Sequence, residues 1–344
     1  MSRAARDHGG DLDAAMARYG GAREDWLDLS TGINPVAYPV GEMPKEAWTR
    51  LPDKSAMEQL LIAAREFWRV PDKAEIIAAP GASALISRLP YLGPGRGEVQ
   101  IPGPTYNEHA AAFEAHGQWV LKEQESRDTK VLVHPNNPDG RVWPKAFLGG
   151  RRLTIVDESF CDVCPDESHV HRAEEPGVLI LKSFGKFWGL AGLRLGFAIG
   201  RPDTLAPLPQ DHAVAPPPTL SELLGPWSVA GPALDIGARA LADTAWADSA
   251  RARLAKDAAR LDGLFRSAGA ALVGGTTLFR LYAVEDALAA RDHLAQHRIW
   301  SRIFPYSRHW LRLGLPHPER WEQLETALGT AGGAMAQPSG DPSS

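Results

Sequence analysis

Ser183, Lys186 and Arg194 are the side chains of this sequence whose types and spacing point most directly to chemistry. They follow an apolar run at 178–181 and stand among glycines. A lysine at the end of a buried strand can lose its proton and form a Schiff base with an aldehyde, while a hydroxyl and a guanidinium suit a phosphate. The spacing therefore predicts a site for a phosphorylated aldehyde cofactor, and the alternative is that Lys186 is a solvated loop cation.

The segment from Ser183 to Arg194 resembles the S-x-x-K motif and trailing arginine of the fold-type I pyridoxal-phosphate enzymes, the class I/II aminotransferase superfamily. The resemblance extends over about residues 8–330. It implies an α/β fold, with a large domain built on a mostly parallel sheet and a smaller α+β domain. It also implies pyridoxal 5′-phosphate as the cofactor and Lys186 as the catalytic lysine that holds it.

Asp157 and Asn137 follow two further predicted strands. A carboxylate at position 157 can keep the cofactor's ring nitrogen protonated, which makes the ring a better electron acceptor, so Asp157 is the second predicted catalytic residue. Taken alone, it could instead cap a turn. The stretch 134–140 resembles the N-P-N-N-P-T-G segment of the superfamily, and the match assigns Asn137 to the cofactor's 3′-oxygen. By itself this stretch is a turn signal.

Three more residues are candidates for cofactor binding. Ala82 and Ser83 stand between the first strand and a helix predicted over 84–89, where backbone N–H groups and a hydroxyl suit a phosphate. Ser83 could also be a simple helix cap. The resemblance places Tyr106 over the cofactor ring, where aromatic stacking holds the ring plane. Without the resemblance, Tyr106 would be interpreted as a core aromatic.

The N-terminal sequence narrows the resemblance to one subfamily. The stretches H-G-G-D at 8–11 and D-L-S-T-G-I-N-P at 28–35 are similar to the openings of the threonine-phosphate decarboxylases of cobalamin biosynthesis. The D-E-S-F stretch at 157–160 is similar as well. Histidinol-phosphate aminotransferases usually have a tyrosine where Phe160 stands. A phenol there would donate a hydrogen bond to the cofactor, and phenylalanine cannot.

This subfamily implies a small phosphorylated amino acid as substrate, so two anions must be bound. Arg312 interrupts an apolar strand in the context of the superfamily's carboxylate-binding arginine. Arg302, on the preceding predicted strand, is the candidate for the phosphate, helped by the backbone at His8 and Gly9, and Asn34 is a further candidate for substrate binding. The alternative for both arginines is an outward-facing position on the surface.

Three functions compete at this point. The first is decarboxylation of L-threonine O-3-phosphate to (R)-1-amino-2-propanol O-2-phosphate. The second is an aminotransferase acting on histidinol phosphate or a related phosphorylated amino acid, and the third is a ligand sensor without catalysis. Sensors of this fold usually carry a DNA-binding domain, and the sequence has no spare basic helix-turn-helix segment. Release of carbon dioxide, as opposed to a keto acid, separates the first two.

Composition restricts the partners and the location. With a formal net charge of −5 and no basic run, no nucleic acid or anionic membrane is expected as a partner. No apolar run reaches transmembrane length, and the polar stretch 1–10 lacks the apolar core of a secretory signal, so a cytoplasmic location is expected. The resemblance implies a homodimer. Leu51 stands where the superfamily has a tyrosine that reaches the neighbouring subunit's cofactor phosphate, and leucine cannot make that contact.

Cys161 and Cys164 have the C-x-x-C spacing, with His169 and His171 downstream. A zinc site needs a fuller ligand set, and a redox pair normally opens a helix in a thioredoxin-like unit. Because neither context is present, two reduced and partly buried thiols are expected and no metal site.

The order of predicted elements gives a domain organisation. An N-terminal arm (1–35) is expected to pack on the small domain (236–331), after a large cofactor-binding domain (36–235), and the polar end (332–344) is expected to be a flexible tail. The predicted strands of the large domain are 75–79, 98–102, 131–134, 153–156, 178–181 and 195–200. Those of the small domain are 278–282, 299–304 and 310–315, with helices at 248–268, 284–297 and 317–331.

Overall fold

A computed structural model describes residues 8–93, 97–123, 128–149, 151–206 and 218–338. Part of the proline-rich stretch, including Pro216 and Pro217, lies outside these ranges, as do residues 339–344 of the expected tail. Contacts divide the chain into two compact units. The small unit comprises Met1–Val36, Pro138–Gly140 and Ser249–Ser344, and the large unit comprises Ala37–Asn137 and Arg141–Asp248.

The helices of the described ranges are α1 Leu12–Tyr19, α2 Lys45–Thr49, α3 Lys54–Trp68, α4 Ala82–Ile86, α5 Asn107–Ala115, α6 Leu220–Leu224, α7 Gly231–Ala242, α8 Thr244–Ser267, α9 Ala287–Gln296 and α10 Trp321–Gly329. None of them is both long enough and apolar enough to cross a membrane. The domain division expected after residue 235 falls inside α7, whereas the two compact units divide after residue 248, inside α8.

The strands of the described ranges are β1 Leu27–Asp28, β2 Glu75–Ala79, β3 Glu98–Gln100, β4 Trp119–Leu121, β5 Thr129–Val133, β6 Leu153–Asp157, β7 Val178–Ser183, β8 Gly196–Gly200, β9 Ala271–Thr276, β10 Phe279–Ala283, β11 Ile299–Trp300, β12 Arg302–Phe304 and β13 Ser307–Gly314. Each of the six strands predicted for the large domain has a counterpart, β2, β3, β5, β6, β7 and β8.

The large unit is built on a seven-stranded sheet with the order β2-β8-β7-β6-β5-β3-β4. Strand β8 pairs antiparallel with both of its neighbours, and the other pairs are parallel. The expected α/β fold with a mostly parallel sheet is therefore confirmed. Strand β4 was not predicted, because its apolar run is only three residues long.

Apolar runs explain why the central strands form. Strands β5, β6 and β8 are buried along their whole length, which is typical of strands covered on both faces. Helix α3 buries Leu60, Ala64 and Trp68, which recur at four-residue spacing on one helical face. Because β5, β6 and β7 run parallel, their carboxyl ends meet at one edge of the sheet. The polar residues that follow these strands are thereby brought together.

The small unit contains a four-stranded antiparallel sheet with the order β12-β13-β10-β9 and a short parallel pair of β1 with β11. The strand predicted at 299–304 is two strands, β11 and β12, separated at the buried Ser301. Strand β9 was not predicted. Its sequence A-L-V-G-G-T carries two glycines and does not alternate between apolar and polar residues, so no period of two is visible.

The described part of the expected flexible tail differs from the prediction. Met335 is fully buried, and the Ala336 carbonyl accepts a 2.6 Å hydrogen bond from the amide of Glu285. The amide of Gln337 donates to the Gly269 carbonyl at 2.9 Å. One apolar side chain and two backbone hydrogen bonds therefore fix residues 332–338 to the small unit, a contribution that the small and polar composition of the segment conceals.

Candidate active site

A cavity lies at the carboxyl edge of the large sheet, entirely within the large unit. The eight residues predicted to bind the cofactor all line it: Ala82, Ser83, Tyr106, Asn137, Asp157, Ser183, Lys186 and Arg194. Ile86, Val133, Ser159, Phe160, Gly185 and Ala191 complete the lining. The structure thus brings these predicted residues together, while the role of each one stays a prediction.

Asp157 ends β6 and is buried at the base of the cavity. Its Oδ2 lies 2.7 Å from Nε2 of His109, and its Oδ1 accepts hydrogen bonds from the amide (3.0 Å) and the hydroxyl (2.5 Å) of Ser159. Burial is the largest influence on this carboxyl and acts to raise its pKa. The bonds from His109 and Ser159 outweigh burial and hold the pKa of Asp157 below its ordinary value, so the group is ionised at neutral pH.

The sequence-based reasoning missed His109 and Ser159. His109 is fully buried on α5, three residues after Tyr106, and the two rings meet edge to face at 6.1 Å. Tyr106 is the N-cap residue of α5 and has an extended backbone, so helical spacing alone does not predict that the two side chains meet. Ser159 bonds a carboxylate two residues earlier in the chain, a local pattern that many turns share. Their contribution became visible only through the shared contact with Asp157.

Lys186 lies in the loop after β7, and its Nζ is 5.3 Å from the centroid of the Phe160 ring. Ser183 ends β7, and its hydroxyl accepts a hydrogen bond from the Gly185 amide at 3.3 Å. This bond helps to turn the chain sharply between the strand and the lysine. Phe160 is buried in the same lining, so an apolar ring stands beside the lysine.

Gly81 makes room for the Arg194 guanidinium. A Cβ at position 81 would lie 2.8 Å from an Arg194 terminal nitrogen, closer than van der Waals contact allows. Gly81 also has a φ of +89°, which side chains other than glycine rarely adopt. Arg194 itself has a φ of +53° and donates to the Ala191 carbonyl at 3.2 Å. The guanidinium is therefore held against the chain that leads into Ala82 and Ser83.

Asn137 is placed by its neighbour. The Asn136 side chain accepts a 2.6 Å hydrogen bond from the Thr105 hydroxyl and donates to the Pro104 carbonyl at 3.0 Å. The backbone N–H of Asn136 donates to the backbone carbonyl of Arg141 at 2.8 Å and closes the turn. These bonds tie the loop after β5 to the segment that carries Tyr106, so both of these cavity residues belong to one fixed assembly.

The residues of the cavity fit a phosphorylated pyridine aldehyde. Lys186 offers an amine, and Asp157 offers a buried carboxylate that stays ionised and can face a protonated ring nitrogen. Arg194, Ser83 and Ser183 offer a cation and two hydroxyls for a phosphate. The absence of a Cβ at Gly81 leaves the space that the Arg194 guanidinium occupies. This set of donors matches pyridoxal phosphate.

Two of the predicted substrate residues are cross-strand neighbours in the small unit. Arg302 of β12 pairs directly with Arg312 of β13, so both side chains lie on the same face of this sheet. Two guanidinium groups on one face can donate charge-assisted hydrogen bonds to neighbouring anionic groups. Arg312 is 5% exposed and donates to the Ser30 carbonyl at 2.8 Å. The pair is therefore a candidate anion site.

Ser30 links Arg312 to the N-terminal glycines. Its hydroxyl accepts a 2.6 Å hydrogen bond from the Gly10 amide and donates to Asp28 at 2.6 Å. A Cβ at Gly9 would collide with the Ser30 carbonyl, so glycine is required for this close approach. The exposed His8 precedes these glycines, and both the glycines and Arg312 contact Ser30.

Asn34 is buried, and its Oδ1 accepts a 2.6 Å hydrogen bond from Arg253 and a 3.1 Å bond from the Val36 amide. Both contacts stabilise the small unit itself. A role in substrate binding stays a prediction for Asn34, as it does for His8, Gly9, Arg302 and Arg312.

Among the described residues, His134, Glu158 and Cys161 place potential metal ligands within 4.8 Å of one another. His134 bonds through both ring nitrogens, to the Glu167 carbonyl (2.8 Å) and the Trp143 amide (3.0 Å). The hydrogen bond that the Cys161 thiol donates to Cys164, together with burial, raises the pKa of this thiol, which disfavours the thiolate that metals bind. These donors are thus committed to the fold, and both cysteines are free thiols.

A mostly parallel sheet with a lysine, an ionised aspartate and an arginine at its carboxyl edge defines the class of fold-type I pyridoxal-phosphate proteins. The sequence model of the family described as aminotransferase class I and II matches residues 44–328. The chain belongs to the aminotransferase class I and II family.

Two relatives match nearly the whole chain. A protein from a Sinorhizobium species named threonine-phosphate decarboxylase is 37% identical over 326 residues, which cover 90% of this chain and 92% of the relative. A protein of the same name from Pseudomonas aeruginosa is 38% identical over 341 residues and covers 94% and 97%. A histidinol-phosphate aminotransferase from Mycobacterium bovis is 32% identical but covers only 64% of this chain and 62% of its own length.

Solved structures share the fold. The histidinol-phosphate aminotransferase from Sinorhizobium meliloti, solved in complex with pyridoxal-5′-phosphate, superposes with a TM-score of 0.72 and 18% identity. The match covers 92% of this chain and 93% of that one. At this identity the likeness concerns the fold alone.

Proposed function

We propose that this chain is a pyridoxal-phosphate-dependent decarboxylase that converts L-threonine O-3-phosphate to (R)-1-amino-2-propanol O-2-phosphate in cobalamin biosynthesis. One observation carries the proposal: a cavity with Lys186, Asp157 and Arg194 occurs in a chain whose full-length relatives are named threonine-phosphate decarboxylase. The aminotransferase alternative is weaker, because relatives named histidinol-phosphate aminotransferase, from Mycobacterium bovis and Symbiobacterium thermophilum, are 32% and 29% identical over only 64% and 70% of the chain.

Six of the cavity residues hold the cofactor's phosphate, ring and 3′-oxygen. Bound pyridoxal phosphate supplies an aldehyde for an amino group and a ring that accepts the electrons of the breaking bond. Arg194, Ser183 and Ser83 bind its phosphate, together with the backbone at Ala82. Tyr106 stacks on the ring face, and Asn137 donates to the 3′-oxygen.

Asp157 and Lys186 hold and move protons. Asp157 keeps a proton on the ring nitrogen, and the bonds from His109 and Ser159 keep Asp157 itself ionised for that purpose. After carbon dioxide leaves, the substrate's Cα must gain a proton, and the Lys186 amine delivers it. In an aminotransferase the same amine would remove a proton from Cα. The two reactions therefore differ in which bond the protein orients for cleavage.

The substrate's anions are bound by the small unit. Arg312 pairs with the carboxylate, and Arg302 pairs with the phosphate, helped by His8, the Gly9 backbone and Asn34. The support is the direct pairing of Arg302 with Arg312 across β12 and β13, which puts two cations on one face. A substrate with a carboxylate and a phosphate gains two charge-assisted contacts there.

The decisive experiment uses L-threonine O-3-phosphate without any keto acid. We expect carbon dioxide to be released over many turnovers, measured by trapping the gas. An aminotransferase would stop after one turnover and would resume when 2-oxoglutarate is added. That result would overturn the decarboxylase proposal.

A matched pair of variants tests the phosphate contact. Arg302→Ala should raise the KM for L-threonine O-3-phosphate roughly 10- to 150-fold, since a hydrogen bond to a charged group is worth about 1.5–3 kcal/mol. Arg308→Ala, at an exposed position of the neighbouring strand β13, is the control and should leave the KM unchanged. Equal KM values for the two variants would remove Arg302 from the substrate site.

The proposal extends to assembly and location. The enzyme works as a homodimer in the cytoplasm on a small phosphorylated amino acid. The free thiols Cys161 and Cys164 support a reducing compartment. Exposed apolar side chains on the large unit support a second subunit, and a variant that tests them is described below.

A further inference from the structure

A second set of charged side chains lies buried next to the cavity residues. The Lys182 ammonium is 2.7 Å from Oε2 of Glu158 and 3.4 Å from Oδ1 of Asp162. Each of these residues is at most 4% exposed. We call Lys182, Glu158 and Asp162 the ion triad. Burying three charges costs free energy that their attraction repays only with good geometry and additional hydrogen bonds.

The ion triad has those hydrogen bonds. Glu158 accepts from the Ser168 hydroxyl (2.6 Å) and the His169 amide (2.5 Å). Asp162 accepts from the indole N–H groups of Trp68 (2.9 Å) and Trp188 (3.2 Å). Burial acts to lower the pKa of Lys182, but the neighbouring carboxylates outweigh it and raise the pKa well above its ordinary value. The lysine is therefore charged at neutral pH.

The triad residues alternate with cavity residues along the chain. Asp157 pairs with Leu181 across β6 and β7, so the next positions, Glu158 and Lys182, stand side by side. Side chains alternate between the two faces of a sheet, and Ser183 lines the cavity whereas Lys182 does not. Glu158 follows Asp157 directly, and Lys182 precedes Ser183. The triad thus pairs the two strand ends on the face opposite the cavity.

The bond from Trp188 extends this connection to the lysine loop. Trp188 is fully buried two residues after Lys186, and Asp162 comes two residues after Phe160. One hydrogen bond therefore joins the loop that carries Lys186 to the turn that carries Phe160.

We propose that the ion triad is a positioning element for the cavity, with Lys182 at its centre and Trp188 as its link to the Lys186 loop. It aligns the ends of β6 and β7, and with them Asp157 and Ser183, and it restrains the loop that presents the Lys186 amine. Lys182 and Trp188 are positioning residues, because they act through Lys186 and Asp157. The inference rests on the proposed function only in naming pyridoxal phosphate as the probe.

The first test removes one hydrogen bond. Trp188→Phe deletes the indole N–H that reaches Asp162 and keeps an aromatic ring. Trp246→Phe is the matched control, because Trp246 stacks on Trp188 at 5.4 Å and the substitution makes the same change in size. In the full chain without cofactor, the amides of Gly189 and Leu190, both hydrogen-bonded within the loop, report its opening by hydrogen exchange. We expect exchange about tenfold faster in Trp188→Phe than in Trp246→Phe.

The second test addresses the charge. Lys182→Met leaves two buried carboxylates without their cation, and Lys182→Arg restores a cation. The double variant Lys182→Met/Glu158→Gln removes one charge of each sign and guards against simple unfolding. The readout is the rate at which each full-length variant captures added pyridoxal phosphate, followed by its visible absorbance. We expect capture to slow at least tenfold in the double variant and to recover in Lys182→Arg.

The outcomes separate the two proposals. If Trp188→Phe and Trp246→Phe exchange alike, or if the folded double variant captures the cofactor at the wild-type rate, the triad serves stability alone and the inference is wrong. If the wild type fails to capture pyridoxal phosphate, the proposed function is wrong, and hydrogen exchange still decides the positioning role. Neither readout uses L-threonine O-3-phosphate.

Discussion

Asp157 keeps its charge in a fully buried position because two neighbours donate to it. Burial disfavours a carboxylate, while the bonds from His109 and Ser159 favour it, and the balance lowers the pKa of Asp157. A group whose pKa is lower in the folded state stabilises the protein above its ordinary pKa, about 3.9 for aspartate. That contribution is lost as the pH falls through the folded-state pKa.

The contribution of His109 to the charge of Asp157 can be tested through the pH dependence of the free energy of unfolding. His109→Phe removes the donor to Oδ2, so burial then dominates and the pKa of Asp157 rises. At pH 7 we expect the free energy of unfolding to fall by about 1–3 kcal/mol. The difference from the wild type should narrow on acidification, as the pH passes the higher pKa of the variant and then the lower one of the wild type. Urea unfolding from pH 7 down to about pH 2 measures it.

His109→Gln is the matched control, because its amide can donate at the position of the histidine Nε2. It should recover most of the stability at pH 7. A loss in His109→Phe that stays constant with pH would show that the ring packs against the core without setting the charge of Asp157.

Phe160 also lines the cavity, and a substitution there tests whether its ring faces the cofactor. Phe160→Tyr introduces a hydroxyl beside Lys186, whose Nζ is 5.3 Å from the Phe160 ring centroid. A donor to the cofactor's 3′-oxygen favours that oxygen's charged form, so the pH midpoint of the bound cofactor's visible absorbance should fall. Spectra titrated against pH measure it. Phe147→Tyr, at a 46% exposed position, is the control. Equal midpoints in the two variants would place the new hydroxyl away from the cofactor.

At the scale of elements, the turn between β2 and α4 illustrates how a backbone conformation serves a side chain. Helix α4 is only five residues long, so its dipole contributes little to phosphate binding. The turn's main contribution is spatial, because Gly81 leaves the volume that the Arg194 guanidinium fills. The end of β2, Gly81 and the Arg194 guanidinium thus pack together, although Arg194 is distant in sequence.

Gly81→Ala separates this spatial effect from backbone strain. The substitution adds a side chain at a φ of +89° and a collision with Arg194. Gly225→Ala is the control, because Gly225 has a φ of +79° and nothing within 4 Å of its added Cβ. Both variants should lose about 1–2 kcal/mol of stability from strain. Only Gly81→Ala should also bind pyridoxal phosphate at least tenfold more weakly, measured by equilibrium dialysis. Equal affinities would contradict the role of Arg194.

The elements that sequence reasoning predicted share a local signal. Strands β2, β7 and β8 each contain a continuous apolar run, I-I-A-A, V-L-I-L and F-A-I, and the chemical motifs lie near the ends of such runs. Strand β4 has an apolar run of only three residues and β9 is interrupted by two glycines, so both are weak local signals, and each strand pairs at the edge of its sheet. The bond from His109 to Asp157 and the ion triad join positions far apart in the chain, which single-sequence patterns cannot pair.

At the scale of the whole molecule, the large unit is compact yet presents bulky apolar side chains to solvent. Trp48, Leu51 and Trp227 are 69%, 64% and 60% exposed. They belong to neighbouring segments, since a Cβ at Gly231 would collide with the Ala47 carbonyl. A cluster of large apolar residues at the surface is typical of a subunit interface. Leu51 occupies the position where the superfamily's cross-subunit tyrosine is expected, so this is the surface to test for the proposed homodimer.

Trp48→Glu should therefore shift the protein from dimer to monomer. A buried charge without a partner costs several kcal/mol, and a twofold interface incurs that cost twice. Sedimentation velocity over a range of protein concentrations measures the shift, and the apparent dissociation constant should rise at least a hundredfold. Trp119→Glu is the control, because Trp119 is 76% exposed on β4, at the opposite sheet edge from β2. A wild type that sediments as a monomer, or equal shifts in both variants, would remove this surface from the interface.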